Sequence, residues 1–297
     1  MSPLNDPVAR AGRAVENPDG GSSAVPLVVA IALTKGGVGK TTTAVSLAGA
    51  ASVLGVRALV VDVDTQGQAA HALGVPKDER GPGLAGVVAG TATVTEAIVE
   101  ARPPTDGQSG VYVLPGGAAL ATEGARMAAD PATGMLAVRR AAHAAADAVG
   151  ARIVVVDTPP GWGALSLGAL AAADVVLCPV APHPLAVEAV AEFDGHLESV
   201  QEARAAFGGA PLPRLAFVLP TMYDGRANSP TAALGALRTW ATAHRDRPAV
   251  LDPIPYTVRV QEAPAFGEIL AEYAPGHPAA AAYAAAAGHV LALDGTL

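Results

Sequence analysis

The loop Thr34-Lys35-Gly36-Gly37-Val38-Gly39-Lys40-Thr41-Thr42 joins a β-branched run to a long Ala-rich segment, and it narrows the choice of fold more than any other stretch. Phosphate oxygens need several backbone N–H donors converging at close range, which glycine permits by lacking a Cβ. A helix beginning at the loop adds the partial positive charge of its N-terminus. On this reading Gly36, Gly37, Val38 and Gly39 cradle phosphates with their backbone. Lys40 reaches the β/γ-phosphates, the Thr41 hydroxyl ligates Mg²⁺, and Thr42 continues into the helix. A glycine-rich turn in a generic βαβ unit is the alternative. The order strand, loop, Gly-Lys-Thr, helix speaks against it.

The rest of the chain suits an α/β architecture. Expected strands are 27–33, 58–63, 111–114, 153–157, 175–180 and 215–219, and runs such as Ile153-Val-Val-Val-Asp157 suit strands covered on both faces. Helical patterns fall at 41–54, 134–149, 185–207, 231–244 and 278–293, so strands and helices alternate. Alternation of this kind predicts a mostly parallel twisted sheet with helices on both faces. Residues 1–25 are rich in Pro, Gly, Asn, Asp and Ser, which predicts a flexible tail before a single domain spanning 26–297.

Hydrophobic residues make up 51% of the chain and charged ones 15%, with a mean hydropathy of +0.36, yet the apolar excess is mostly alanine. The nearest candidates for a spanning helix, 158–173 and 278–293, are diluted by Ala and Gly, so no membrane span and a cytoplasmic location are expected. Cys178 is the only cysteine, which excludes intrachain disulfides and Cys-pair metal sites. Of the 19 basic residues only Lys35, Lys40 and Lys77 are lysine, and two of these three fall in the one loop. A position that keeps lysine in an arginine-using chain is a candidate for needing it.

Two further segments end in acids. Alternation along the second strand sends Asp62 and Asp64 to the same side, at the sheet edge where open α/β folds bind ligands. Asp62 is then placed to hold the water shell of Mg²⁺ and Asp64 to orient or deprotonate an attacking water. Solvated strand-end caps are the plainer alternative. Asp157, which closes the hydrophobic run 153–157, is the third candidate and would bind Mg²⁺ directly or through water.

Lys35-Gly-Gly-Val-Gly-Lys-Thr-Thr42 resembles the deviant Walker A motif of the ParA/MinD class of P-loop ATPases. Asp62-Val-Asp64-Thr-Gln-Gly67 is similar to that class's D-x-D-P-Q-G motif, with Thr65 in place of proline, and Pro159-Pro160-Gly161 resembles its switch segment. Thr221-Met-Tyr-Asp224-Gly-Arg226-Ala-Asn228 and Pro255-Tyr-Thr257-Val-Arg259 resemble segments of the ParA partition proteins, and the resemblance covers about residues 27–293. It implies ATP and Mg²⁺ as cofactors and an ATP-dependent homodimer in which Lys35 reaches the partner's phosphates. It also implies hydrolysis through Asp64, stimulated by a ParB-like centromere-binding protein, and adenine and ribose lying against Pro255 and Thr257. Tyr256 and Thr257 stand where Arg and Asn are usual.

Arg226 and Arg259 match the family's contacts to non-specific DNA, which implies association with the nucleoid; ordinary surface arginines are the alternative. The formal charge of −8 argues against a uniformly basic nucleic-acid binder. Between Arg204 and Arg259, however, seven arginines face three aspartates, a local +4 that leaves −12 for the remainder. Residues 260–297 hold no Lys or Arg, unlike the basic membrane helix that ends MinD-type proteins. Two other functions stay open: a ParA-like ATPase that positions a protein cargo over the nucleoid, and a metabolic P-loop ligase of the dethiobiotin-synthetase kind.

Overall fold

The computed structural model describes residues 25–206, 210 and 212–294, so the expected tail lies outside the described residues except for Val25. Strands β1 (Leu27–Ile31), β2 (Ala58–Asp62), β3 (Val99–Arg102), β4 (Val111–Leu114), β5 (Ile153–Asp157), β6 (Val175–Val180), β7 (Arg214–Pro220) and β8 (Ala249–Val250) form one sheet in the order β3-β4-β2-β5-β1-β6-β7-β8. Every neighbouring pair is parallel except β3 with β4. The helices on the β1–β5 side of the chain are α1 (Lys40–Val53), α2 (Gln68–Ala72), α3 (Gly83–Ala89), α4 (Val94–Ala97), α5 (Leu120–Ala129) and α6 (Pro131–Val149). After β5 come α7 (Ala164–Ala172), α8 (Ala186–Ala206), α9 (Asn228–Ala243), α10 (Arg259–Glu262), α11 (Leu270–Tyr273) and α12 (Pro278–Leu291).

The central strands are apolar throughout because both of their faces are covered. Along β1, Val28 and Ala30 join one buried cluster with Val138 of α6 and Phe193 of α8. Val29 and Ile31 join the other, with Leu47 of α1 and Tyr283 of α12. The alternation is the two-residue period of a strand read from both sides. Alanine lets the layers approach closely: α1 and α12 meet with Ala44, Ala48, Ala279 and Ala287 all fully buried. Packing of that kind accounts for the positive mean hydropathy, and among the described residues no helix is long and apolar enough to cross a membrane.

The segments read from sequence patterning leave out β3 and β8 and the helices α2 to α5, α7, α10 and α11. Val99-Glu-Ala-Arg102 carries charge and is only partly buried, as suits a strand at the sheet edge. Its Arg102 is a fastener, donating to the carbonyls of Leu73 and Gly267 and pairing with Glu272 at 2.9 Å. The β1–α1–β2 connection carries the chain to one side of β1, and β5–α7–β6 carries it across to the other. The C-terminal end of β1 therefore lies at the switch point of the sheet, where ligand crevices open.

Candidate functional site

The loop at residues 34–39 leaves β1 at that switch point and runs into α1. Gly37 (φ +72°) and Gly39 (φ +85°) adopt the left-handed conformation that side chains disfavour. Gly36 needs glycine for neither reason: its φ is ordinary and a Cβ there would meet nothing within 4 Å. Without a Cβ there the backbone stays open to the close approach of a ligand. The N-terminus of α1 has no side-chain cap and no acid in its first turn, so its free N–H groups and dipole face the loop unopposed. Gly36→Ala is expected to leave the melting temperature within about 1 °C of the parent while weakening ATP binding at least about tenfold. Isothermal titration beside a thermal melt checks this, and equal loss in both would refute it.

Lys40 is the first residue of α1 and only 7% exposed, with its Nζ donating to the carbonyl of Lys35 at 3.0 Å. Burial pushes its pKa down, opposed by the nearby carboxylates of Asp157 and Asp64. Strand register sets those acids: Ile31 pairs with Asp157, and Asp157 with Asp62, so the end of β5 lies between the ends of β1 and β2. Asp157 is fully buried, and neither of its carboxylate oxygens accepts a hydrogen bond. Burial first and Asp62 second raise its pKa well above the usual carboxylate range. The Thr41 hydroxyl lies near enough to oppose the rise without completing a bond of ordinary geometry. A buried carboxylate whose oxygens accept no hydrogen bond of ordinary geometry, close to a threonine hydroxyl, fits the demand of Mg²⁺ for one or two carboxylates beside substrate phosphates.

Asp62 and Asp64 differ from the alternating pair expected, because β2 ends at Asp62 and the chain then turns. Both oxygens of Asp62 are already engaged, accepting from the N–H of Asp64 at 2.9 Å and of Ala69 at 3.0 Å. Its carboxylate fastens the turn to α2, and burial raises its pKa to about 6. The half-buried Asp64 is thereby placed at the mouth of the site, with one oxygen accepting from Gln66 N–H at 2.9 Å. Gly116 supports the turn from beyond β4: a Cβ there would lie 2.5 Å from the Asp64 carbonyl oxygen and 2.7 Å from that of Asp62. Its Leu-Pro-Gly-Gly setting was visible in sequence, but the approach to Asp64 was not.

After β5 the chain is tied back to the loop twice. Thr158 donates to the Ile31 carbonyl at 2.8 Å, and Gly161 N–H donates to that of Thr34 at 3.1 Å. Trp162 stacks on Phe193 of α8 with ring centres 5.5 Å apart. On the other side a cleft of about 440 Å³ brings Gly39 and Thr42 together with Met222, Pro255, Tyr256 and Thr257. Its wall is held by Thr221, which donates to the Val38 carbonyl at 3.0 Å, and by a bridge between Tyr223 and Pro255.

The remaining candidates sit outside this cluster. Lys35 is exposed, with Nζ 2.9 Å from Nε2 of His183, a residue that sequence reasoning did not single out. Arg226 is exposed and pairs with Asp224 through two contacts of 2.8 Å, which hold the Asp224 carboxyl down at about 2. Arg259 is 3.7 Å from Glu262 and 5.8 Å from the ring centre of Tyr273. Arg204, counted in the basic region, is only 6% exposed and donates to the carbonyl of Ala173, so the surface excess of that region is one charge smaller than the sequence suggests. Arg214, Arg238 and Arg247 are exposed and make no side-chain bond among the described residues.

A glycine loop over an uncapped helix end, faced by a buried carboxylate lacking any donor, meets the needs of a nucleoside triphosphate and its cation. The class so defined is that of the P-loop ATPases. Residues 27–207 match the AAA domain family. The chain is 38% identical over 264 residues to the chromosome-partitioning ATPase Soj of Thermus thermophilus, covering 89% of this chain and 95% of that one. The structure of a Cyanothece McdA variant in complex with ATP shares the fold with a TM-score of 0.72 at 19% identity, covering 91% of this chain and 97% of its own. A Mycobacterium smegmatis structure named cobyrinic acid a,c-diamide synthase, with bound ADP and magnesium, is 30% identical with a TM-score of 0.70, covering 90% and 94%. The chain belongs to the ParA/Soj family of partition ATPases within the ParA/MinD class.

Proposed function

We propose that the chain is a cytoplasmic partition ATPase that uses ATP as a ratchet on nucleoid DNA. The observation that carries the reading is the division between the two loop lysines. Lys40 is buried in the chain's own site, whereas Lys35 is exposed at the outer edge of the loop. A cation so placed is available to the phosphates of a second copy, giving an ATP-dependent homodimer with nucleotide sandwiched between the subunits. In each subunit residues 36–42 cradle the phosphates, Lys40 draws charge off the β/γ-oxygens, and Pro255 and Thr257 line the base and ribose cleft. Thr41 and Asp157 hold Mg²⁺, which supplies charge neutralisation at the phosphates, while Asp62 acts by fixing the Asp64 turn. Asp64 orients the water and takes up its proton. Phosphoryl transfer depends on positioning and charge stabilisation, so an incomplete site hydrolyses slowly until a ParB-like partner completes it.

Arg226 and Arg259 supply phosphate contacts to DNA without sequence preference. Their pairing with Asp224 and Glu262 costs little to undo, because exposed ion pairs are weak. With ATP and Mg²⁺ present, binding to an arbitrary duplex is expected to fall steeply between about 50 and 200 mM salt. Changing both arginines to alanine lowers the slope by about two contacts. Fluorescence anisotropy across salt and sequence measures both. The likeness to the cobyrinic acid a,c-diamide synthase structure favours a second reading, a small-molecule synthase. Absence of ATP-dependent DNA binding would favour that enzyme and sink the partition reading.

A further inference from the structure

We propose that Arg80 is a positioning residue for ATP hydrolysis, holding in place the turn that carries Asp64; this rests on the reading of Asp64 as the residue that orients the attacking water. The half-buried Arg80 follows the short helical turn Lys77–Glu79, far along the chain from the phosphate loop. Its Nη1 donates to the carbonyl of Gly67 at 3.2 Å, and its Nε and Nη2 donate to that of Val75 at 3.3 and 3.2 Å. Among the described residues no carboxylate pairs with this guanidinium, and its donors go to these two carbonyls.

Gly67 and Val75 bracket α2, and Gly67 also closes the turn in question, its N–H donating to the Asp64 carbonyl at 3.1 Å. A helix of five residues does not hold itself together in water, and α2 has no side-chain cap at Gly67. Its placement must come from tertiary contacts. Asp62 supplies one from the end of β2, through the N–H of Ala69. Arg80 supplies another by tying the residue before α2 to the chain just beyond its end. The backbone after Arg80 is itself anchored, with Leu84 N–H donating to the Pro115 carbonyl at 2.8 Å, and Gly117 N–H donates to the Asp64 carbonyl at 3.1 Å. A rigid planar fork suits two carbonyls at a fixed separation, which the point charge of an ammonium does not reproduce. Without the fork the turn keeps its bond to Asp62, but its far end is untied and Asp64 spreads over more positions. A misplacement of about 1 Å lowers a rate by up to about a hundredfold, while the phosphate cradle at residues 36–42 is left untouched.

The test compares the parent, Arg80→Ala, Asp64→Ala and the double variant as full chains. Single-turnover hydrolysis of radiolabelled ATP with Mg²⁺ reads the chemical step, and titration with a non-hydrolysable ATP analogue reads binding. Arg80→Ala is expected to hydrolyse ATP at least about tenfold more slowly while binding the analogue within about twofold of the parent. In the Asp64→Ala background the same change costs less than about twofold, because the turn no longer holds the water. Arg80→Lys keeps the charge without the fork and shows the same pattern at about threefold, so it carries the test if Arg80→Ala does not fold. Arg80→Ala, or Arg80→Lys in its stead, overturns the positioning role if it hydrolyses as the parent does or loses analogue binding in step with turnover. Slowing Asp64→Ala as much as the parent overturns it equally, and each of these outcomes leaves Asp64 in its own role. An Asp64→Ala chain that hydrolyses ATP at the parent's rate overturns the reading of Asp64, and the positioning with it.

Discussion

Asp157→Asn is expected to melt higher than the parent when free of nucleotide and to lose at least about a hundredfold in ATP turnover. Asp157 is fully buried beside Asp62 and its oxygens accept no hydrogen bond, so its ionised form costs at least about 1–3 kcal/mol there, and the neutral amide removes that charge. The amide keeps the shape and discards the buried carboxyl, and Lys40 retains the carbonyl of Lys35 and the field of Asp64. For a domain of this size the gain corresponds to about 2–5 °C in Tm. The pH dependence has a definite sign. The folded state raises the Asp157 pKa above its ordinary 3.8, so the folded chain binds that proton more tightly than the unfolded one. The parent then loses stability as pH rises from the unfolded value through the raised one. The advantage of Asp157→Asn should therefore be largest at neutral pH and above, and shrink toward pH 4. Thermal melts across pH, beside phosphate release with ATP and Mg²⁺, read both arms. A variant that melts lower than the parent at neutral pH would show that Asp157 is needed by the fold and not held for a ligand.

The second large effect separates the two ends of the loop's chemistry. Lys35→Ala should bind ATP as the parent does and remain monomeric, since the exposed lysine lies outside the chain's own phosphate cradle. Loss of one partner from a charge pair across an interface costs about 2–5 kcal/mol, enough to abolish dimers at micromolar concentration. Asp64→Ala should do the reverse: it keeps the loop, Lys40 and Asp157, so dimers form, but nothing orients the water and the assembly stays on DNA. Sedimentation velocity with ATP and Mg²⁺ and a DNA-release assay with a ParB-like partner distinguish the two. Monomers in Asp64→Ala, or dimers in Lys35→Ala, would break this division of labour.

Much of the site could be read without coordinates because the chemistry is local. Gly36 to Thr42 occupy consecutive positions, and their role follows from backbone conformation and a helix end, both of which are short-range properties. Asp157 was legible because a buried strand ending in an acid is conspicuous in a chain with only 15% charged residues. Asp62 shows the limit. Its position at the strand end was plain, but its carboxylate is taken up by the N–H groups of Asp64 and Ala69, a choice made by the turn into α2. Arg204 shows it from the other side: a basic residue in sequence, it is buried against Ala173 and Asp174 and offers nothing to a DNA surface. The edge strand β3 escaped notice because a strand with one open side needs little apolar pattern.

By itself, then, the amino-acid order settled the alternation of strands and helices, the phosphate loop and the apolar runs that must be covered on both faces. These depend on neighbours in the chain and on the hydrophobic period. Tertiary structure alone decided that Asp157 lies between Asp62 and Ile31 with no donor, that Gly116 presses on the Asp64 turn, and that Lys35 meets His183. Each of those contacts joins residues from different strands or the loops that follow them. Only sheet order and register bring such residues together, and no local pattern encodes which strand end a carboxylate or an imidazole will face.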